Sequence, residues 1–470
     1  MKKTFRYITT CYVCCAICAA IVVLTSCKFE QDDYFEESAA LRITHLNNQI
    51  KEQLVKQGED GKHGWVIQYF VAGTADYSFE GFNILARFYA GDKVTLAGNH
   101  RFLRGGNANK YTEDDSCFDI LAEEGPVLSF NTWNDILTVL EDPVNPAAAP
   151  GNVVSDGEGM NGDHNLVLVS QEDNCITFRG ERHGANIRLI PCDRPWTEYM
   201  DAVSKTKSDI TSDIISSYYV TNGVDTMFFD GLKKGYFNYC DRLVDPLRNR
   251  VLSCVFTPEG FRLHRTDTLM TKLDTLTNVS VAAPTTHFQE FHMAADSTCL
   301  ISENDSVRVI ALWDNYIVNV RNTVWNFDPE SMTAEQKTLF DQIADIFKQF
   351  NKKYTLAYVG LGRTKGKTPI KGLVLTYYTD LNKKSTETAG LSLTTEISSF
   401  GQMKINSSQE DKMNGNLESI SKKYSNVETL VRQFASTLAG TYNIIPNSYF
   451  VPTGCQLKST DGSMTLMLKE

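Results

Sequence analysis

Histidine is scarce in this 470-residue chain: there are eight, scattered singly apart from His287 and His292. A catalytic zinc needs three protein ligands, commonly histidines or carboxylates at short fixed spacing. His287-Phe-Gln-Glu-Phe-His292 comes nearest, but its histidines stand five apart where the helical signature requires four. In a regular strand the two would face opposite sides. No metal site is therefore expected. Also missing are a Gly-x-Ser-x-Gly elbow and a glycine-rich phosphate cradle; Gly360-Leu-Gly362 lacks the third glycine and the following helix. Ser204 with Lys207, and Ser419 with Lys422, match a Ser-Lys spacing that arises often by chance. No catalytic residue and no cofactor is expected, which favours a binding or structural protein over an enzyme. The 57 acidic residues keep a glycosidase-like carboxylate pair as the alternative.

Positive charge is also in short supply. Forty-six basic residues against 57 acidic give a net charge of −11, which excludes the electrostatic footprint of a nucleic-acid binder. No apolar run after Cys27 reaches the length of a membrane span, so a soluble body is expected. A hydrophobic content of 42% with 11% aromatics is too high for a disordered chain.

The N-terminus carries the clearest signal. Lys2, Lys3 and Arg6 precede an apolar run from Val13 to Leu24, which closes on Leu24-Thr25-Ser26-Cys27. This pattern reads as a lipoprotein signal peptide over residues 1–26, with Cys27 as the lipidated, acyl-bearing (palmitate-type) first residue of the mature chain. Removing residues 1–26 takes away three basic and no acidic residues, leaving 43 against 57, a net charge of −14. Residues 27–37, with Glu30, Asp32, Asp33, Glu36 and Glu37, form an acidic tether. That acidic run resembles tags that send lipoproteins to the outer face of the outer membrane. Cys11, Cys14, Cys15 and Cys18 look like metal or redox pairs, but they fall inside the apolar leader. Of the remaining cysteines, Cys117, Cys175, Cys192, Cys240, Cys254, Cys299 and Cys455, the odd number leaves at least one thiol free unless it pairs with another chain; several are expected to be buried, and the irregular spacing nominates no disulfide although an export compartment permits one.

Periodicity predicts an α+β, strand-rich fold with antiparallel sheets in two or three modules and single helices between strand blocks. A first helix carries Ile43, Leu46, Ile50 and Leu54 and stops at Gly58. A second begins at Pro195, a third opens with Thr333 and Gln336 in capping-box spacing, and a fourth is capped by Ser425 with Glu428. Between them lie short alternating strands, including a hairpin of Phe82–Tyr89 with Lys93–Ala97 across a two-residue Gly91-Asp92 turn. The implied modules are 38–220, 221–330 and 331–470. Phe82–Lys93 and Leu373–Lys383 share an apolar-aromatic run and a polar turn, which suggests an internal repeat. Asp156, Glu158, Asn161 and Asp163 offer oxygen ligands between glycines without the spacing of a calcium loop, and read as a solvated loop. Trp65, Trp133, Trp313 and Trp325 read mainly as core, with Trp133, among Asn131, Thr132 and Asn134, the candidate platform for a sugar ring.

Gly64-Trp65, Gly81-Phe82, Ala86-Arg87-Phe88, Gly125–Asn134, Gly162-Asp163, Ile176–Gly180 and Val255–Phe261 together resemble a family of Bacteroidota lipoproteins defined only as a domain of unknown function. The likeness covers roughly residues 38–265. Relatives tend to carry an aromatic and an acidic residue where this chain has His164-Asn165, and lysines where it has Glu181-Arg182. The resemblance implies no activity. It implies a setting beside outer-membrane nutrient importers. Together with the Cys27 anchor and the acidic run, the expectation is a membrane-anchored, outward-facing module that binds a glycan or peptide, with a hydrolase, or a structural or adhesive surface protein, as the alternatives.

Overall fold

The computed structural model describes residues 37–59, 61–72, 80–123, 125–141, 160–212, 215, 217–239, 251–274, 279–312, 323–364, 369–399, 402–448, 450 and 452–470. The leader, Cys27, nearly all of the tether, Cys240, Trp313, Asp156 and Glu158 lie outside these. Among the described residues no helix is long and apolar enough to cross a membrane.

The strands fall into three antiparallel modules. The first is a closed barrel of eight strands in chain order: β1 (Trp65–Phe70), β2 (Phe82–Tyr89), β3 (Lys93–Gly98), β4 (Thr112–Ala122), β5 (Pro126–Phe130), β6 (Asn165–Glu172), β7 (Cys175–Gly180) and β8 (Asn186–Pro191). It closes through β1 and β8, with Trp65 opposite Pro191 and Phe70 opposite Asn186. Closure removes both sheet edges. Eight strands leave an interior that side chains can fill, and Trp65, Tyr69, Phe88, Phe118, Phe130 and Phe178 fill it. Helix α1 (Ala39–Lys56) plugs the barrel with Ile50 and Leu54, both fully buried. The β2–β3 turn has three residues, Ala90 to Asp92, rather than two, because Tyr89 pairs with Lys93; Gly91 and Asp92 both take positive φ.

The second module is also a closed eight-stranded barrel: β9 (Ser217–Thr221), β10 (Thr226–Asp230), β11 (Tyr236–Tyr239), β12 (Val251–Phe256), β13 (Gly260–Asp274), β14 (Val279–Met293), β15 (Leu300–Ser302) and β16 (Arg308–Leu312), with β16 pairing back to β9. Its core stacks Phe229 on Phe237 at 3.8 Å and adds Phe256, Phe261, Phe288 and Phe291. The architectural repetition is thus barrel after barrel. Phe82–Lys93 and Leu373–Lys383 do not mark it, since the first lies in a barrel and the second in the separate sheet of the third module.

Helix α2 (Trp196–Ile210) joins the barrels. Tyr199 and Met200 pack with Val66, Leu85 and Ala97 on the outside of the first barrel, whereas Ile210 enters the core of the second. This explains why β1 is buried on both faces: Trp65, Ile67 and Tyr69 point inward, while Val66, Gln68 and Phe70 face the junction.

The third module is a nine-stranded sheet from β17 (Val324–Phe327) to β25 (Thr465–Lys469), built from two meanders joined through β17 and β25. Helices α3 (Ala334–Phe350), α4 (Gly415–Lys423) and α5 (Asn426–Thr437) share one core with it. Thr333 and Gln336 form the expected capping box, but Ser425 makes no side-chain cap to α5. Phe450, between two strands of this sheet, is fully buried in the core of the second barrel and ties the modules together.

Of the seven body cysteines, six are described, all free: Cys192, Cys254, Cys299 and Cys455 are buried, Cys175 is intermediate and Cys117 is exposed.

Candidate functional site

The family-like motifs are largely the skeleton of the first barrel. Gly64 sits at φ +73 with its α-carbon against the Ala86 carbonyl, where a Cβ would stand 2.3 Å from that oxygen. The neighbouring Trp65 indole donates to Leu54 O at 3.0 Å, locking the end of α1. Asn134 is fully buried; its Oδ1 accepts from the backbone N–H of Ile136 and Leu137, and its Nδ2 donates to Asp114 O. Asp163 is 3% exposed, not solvated, and its carboxylate accepts three backbone N–H bonds, from Arg182, His183 and Ala185. A Cβ on Gly180 would stand 1.9 Å from Asp163 Oδ2, which accounts for the glycine there. These residues build the fold; none is left over for chemistry.

The sequence-derived site candidates are not brought together. Trp133 is half exposed on the loop after β5; Arg104 lies over its ring at 5.0 Å and its indole donates to Asp135. It lines neither of the two cavities described below. His287 and His292 do not face opposite sides of β14: both are exposed, with Phe288 and Phe291 buried between them. A register shift between the Arg262–Glu290 and Asp267–Phe288 pairs changes the alternation there. His287 Nδ1 is occupied by Thr268 Oγ1 at 2.9 Å. Among the described residues no group of three or more His, Cys, Asp or Glu could hold a metal. Ser419 and Lys422 are exposed on α4, and Gly360 and Gly362 lie within a strand.

What the fold does assemble is a cleft of about 600 Å³ between the barrels, walled by the loop after β3, the start of β2, α2 and the turn after β10. Hydrogen bonds from the Gly81 backbone N–H to Cys254 O (2.9 Å) and from the Asn83 side-chain Nδ2 to Phe256 O (2.8 Å) fix the two barrels beside it. Four basic residues line it: Arg101, Lys207, Lys233 and Lys234. Lys233 and Lys234 are presented by a single 3₁₀ turn, Leu232–Lys234, anchored by fully buried Leu232 and flanked by Gly231 and Gly235 at positive φ. Arg101 lies over Phe102 at 4.7 Å. Lys207, noted in the sequence only for its spacing from Ser204, crosses the junction to Glu80 (2.5 and 2.7 Å) and sits 5.3 Å from the Phe256 ring. Glu80 is the one carboxylate among the described lining residues. His100 closes the cleft floor, its Nε2 donating to Ile136 O at 2.8 Å and its Nδ1 buried without a partner. Burial pulls its imidazole down to about 4, so it is neutral at physiological pH. Asn83, Asn99, Asn109 and Ser204 supply further polar groups.

A cleft lined mostly by one sign of charge focuses the field and concentrates counter-ions. Here the sign is opposite to that of the chain as a whole, so the arrangement suits an anionic ligand. Sequence reasoning missed this site because its residues come from Glu80 to Lys234; the pair Lys233-Lys234 in an acidic chain was the one local signal.

No curated protein matches the sequence. The sequence profile of the family described as Domain of unknown function (DUF4302) matches residues 31–271, just over half of the chain, taking in α1, the whole first barrel, α2 and the second barrel as far as β13. By that match the chain belongs to the DUF4302 family.

Proposed function

We propose that the protein is an outer-membrane lipoprotein, anchored through Cys27 and facing the exterior, whose inter-barrel cleft binds an anionic glycan in the service of nutrient uptake. The observation that carries the ligand class is the convergence of Arg101, Lys207, Lys233 and Lys234 on one cleft of a chain with net charge −11. The side-chain amides of Asn83, Asn99 and Asn109 suit sugar hydroxyls, and ammonium and guanidinium groups suit uronate or sulfate. Binding is preferred to hydrolysis because the cleft's described carboxylate, Glu80, is tied to Lys207 and no second carboxylate stands among the described lining residues. The anchor rests on Lys2, Lys3, Arg6, the apolar run to Leu24 and Cys27, and the outward address on the acidic run from Glu30 to Glu37. An outer-membrane importer is the expected partner.

The test is a glycan and peptide array with the purified protein, followed by calorimetry of the hits at two salt concentrations. Uronate-bearing or sulfated oligosaccharides should bind and neutral ones should not, with affinity falling as salt rises. Lys233→Glu/Lys234→Glu should weaken binding by about tenfold or more. Neutral glycans binding equally well, or an acidic peptide outcompeting every glycan, would sink this ligand class. For the anchor, Cys27→Ala should move the protein out of the membrane fraction, and protease added to intact cells should digest the wild type.

A further inference from the structure

A second cavity, of about 320 Å³, lies in the same junction and does not depend on the reading of the wide cleft. It gathers the outward residues Gln68 of β1 and Arg188 of β8, Tyr199 of α2, and Arg262 and Glu290 of the second barrel. Three of these are buried polar side chains: Gln68 is 2% exposed, Tyr199 3% and Arg262 8%. Each carries at least one buried atom with no hydrogen-bond partner, namely Gln68 Oε1, Tyr199 Oη, and both Nε and Nη1 of Arg262. Buried polar groups are overwhelmingly paired in folded proteins, so four orphans on residues that line one cavity require an explanation.

Charge points the same way. Arg188 Nη1 pairs closely with Glu290 Oε1, and Arg262 Nε stands 3.3 Å from that same oxygen without the geometry of a hydrogen bond. Two guanidinium groups therefore share one carboxylate. The other acids of the lining are already engaged. Asp193 and Glu259 both accept from Arg194, and Glu303 accepts the backbone N–H groups of Gln289 and Glu290. Burial first, and then the neighbouring positive charge of Arg188, pulls Arg262 down to about 10 against the opposing effect of Glu290.

We propose that this cavity binds a small monocarboxylate, whose oxygens accept from Arg262 and from Tyr199 Oη, while Gln68 Oε1 accepts from a hydroxyl or amine of the same molecule. A single negative charge fits better than a phosphate dianion, because Asp193, Glu259, Glu290 and Glu303 also line the cavity. A sugar acid and an amino acid share this chemistry.

Calorimetry on the full chain separates them, using galacturonate against galactose, alanine against alaninamide, and inorganic phosphate. The expected result is binding of galacturonate or alanine, with no binding of the counterpart that lacks the carboxylate. Arg262→Gln should weaken that binding by about tenfold or more, and Tyr199→Phe by about threefold or more, in line with loss of a hydrogen bond to a charged group. Loss of binding in Arg262→Gln and Tyr199→Phe separates this site from the wide cleft, which neither residue lines. Should Arg262→Gln fail to fold, Tyr199→Phe carries the test, since it removes one oxygen that has no partner in the fold. Failure of both carboxylates to bind, tighter binding of phosphate than of either, or wild-type affinity in Tyr199→Phe would each overturn the proposal.

Discussion

Replacing Asp163 tests whether the Gly-Asp motif is a buried organiser of the first barrel. In the fold its Oδ1 accepts from Arg182 N–H (3.0 Å) and His183 N–H (2.9 Å), and its Oδ2 from Ala185 N–H (3.1 Å). Its own backbone N–H donates to Tyr69 Oη at 2.6 Å inside the barrel, and that hydroxyl donates back to Asp163 O at 3.1 Å. Asp163→Asn keeps one acceptor oxygen for Arg182 and His183 but turns an NH₂ group toward the Ala185 N–H. The loss is one charge-assisted bond and one buried unpaired donor, about 2–3 kcal/mol. Asp163→Ala strands all three donors, for about 4–5 kcal/mol, a large part of the ~5–15 kcal/mol that holds a typical domain together. Tyr69→Phe should cost about 1–2 kcal/mol, and combined with Asp163→Asn it should be non-additive because the two residues touch. Urea unfolding followed by the fluorescence of buried Trp65 reads these differences as midpoint shifts. If Asp163→Asn changed stability by less than about 0.5 kcal/mol, the range of an ordinary surface substitution, the organising role would be refuted.

Other consequences can be checked on the same preparations. Gly180→Ala should destabilise the first barrel as strongly as Asp163→Asn, because its Cβ would stand 1.9 Å from Asp163 Oδ2; a thermal midpoint equal to wild type would contradict the packing. His100 and His264 are both pulled to about 4, His100 by burial and His264 by burial and then by the charge of Arg265. Above pH 6.5 both are neutral folded or unfolded. Below it the unfolded chain takes up protons that the fold resists, so stability should fall between pH 6.5 and 4, by up to about 3 kcal/mol at buried His100. His100→Gln should flatten that slope, and an unchanged acid limb would count against it. Thr333→Ala removes the hydroxyl that accepts Gln336 N–H and should cost about 1 kcal/mol in urea unfolding of the third module, whereas Ser425→Ala, with no cap bond to lose, should cost little.

Local chemistry decided the elements that carry their own signal. Ile50 and Leu54 recur at helical spacing, and Thr333 and Gln336 cap α3 with side chains three residues apart. The β-branched and aromatic alternation in β2, β7 and β8 is visible without any partner. Strands with weak side-chain signals do not announce themselves. β4 begins Thr-Glu-Asp-Asp, a poor β-former that is strand because β3 pairs along it, with β5 taking over from Phe118, and Thr386–Ser392 is polar and small yet pairs along its whole length. Closure was not legible at all. β1 meets β8 across more than a hundred residues, and nothing local to Trp65 or Asn186 announces that contact. The same distance hid both cavities. Arg188 and Arg262 become neighbours only when the second barrel docks on the first, and the cationic cleft exists only where α2 brings Lys207 opposite the turn bearing Lys233 and Lys234. Side-chain periodicity records which face of a segment avoids water. Which faces then meet, and what charge they enclose, depends on long-range packing that no single segment encodes.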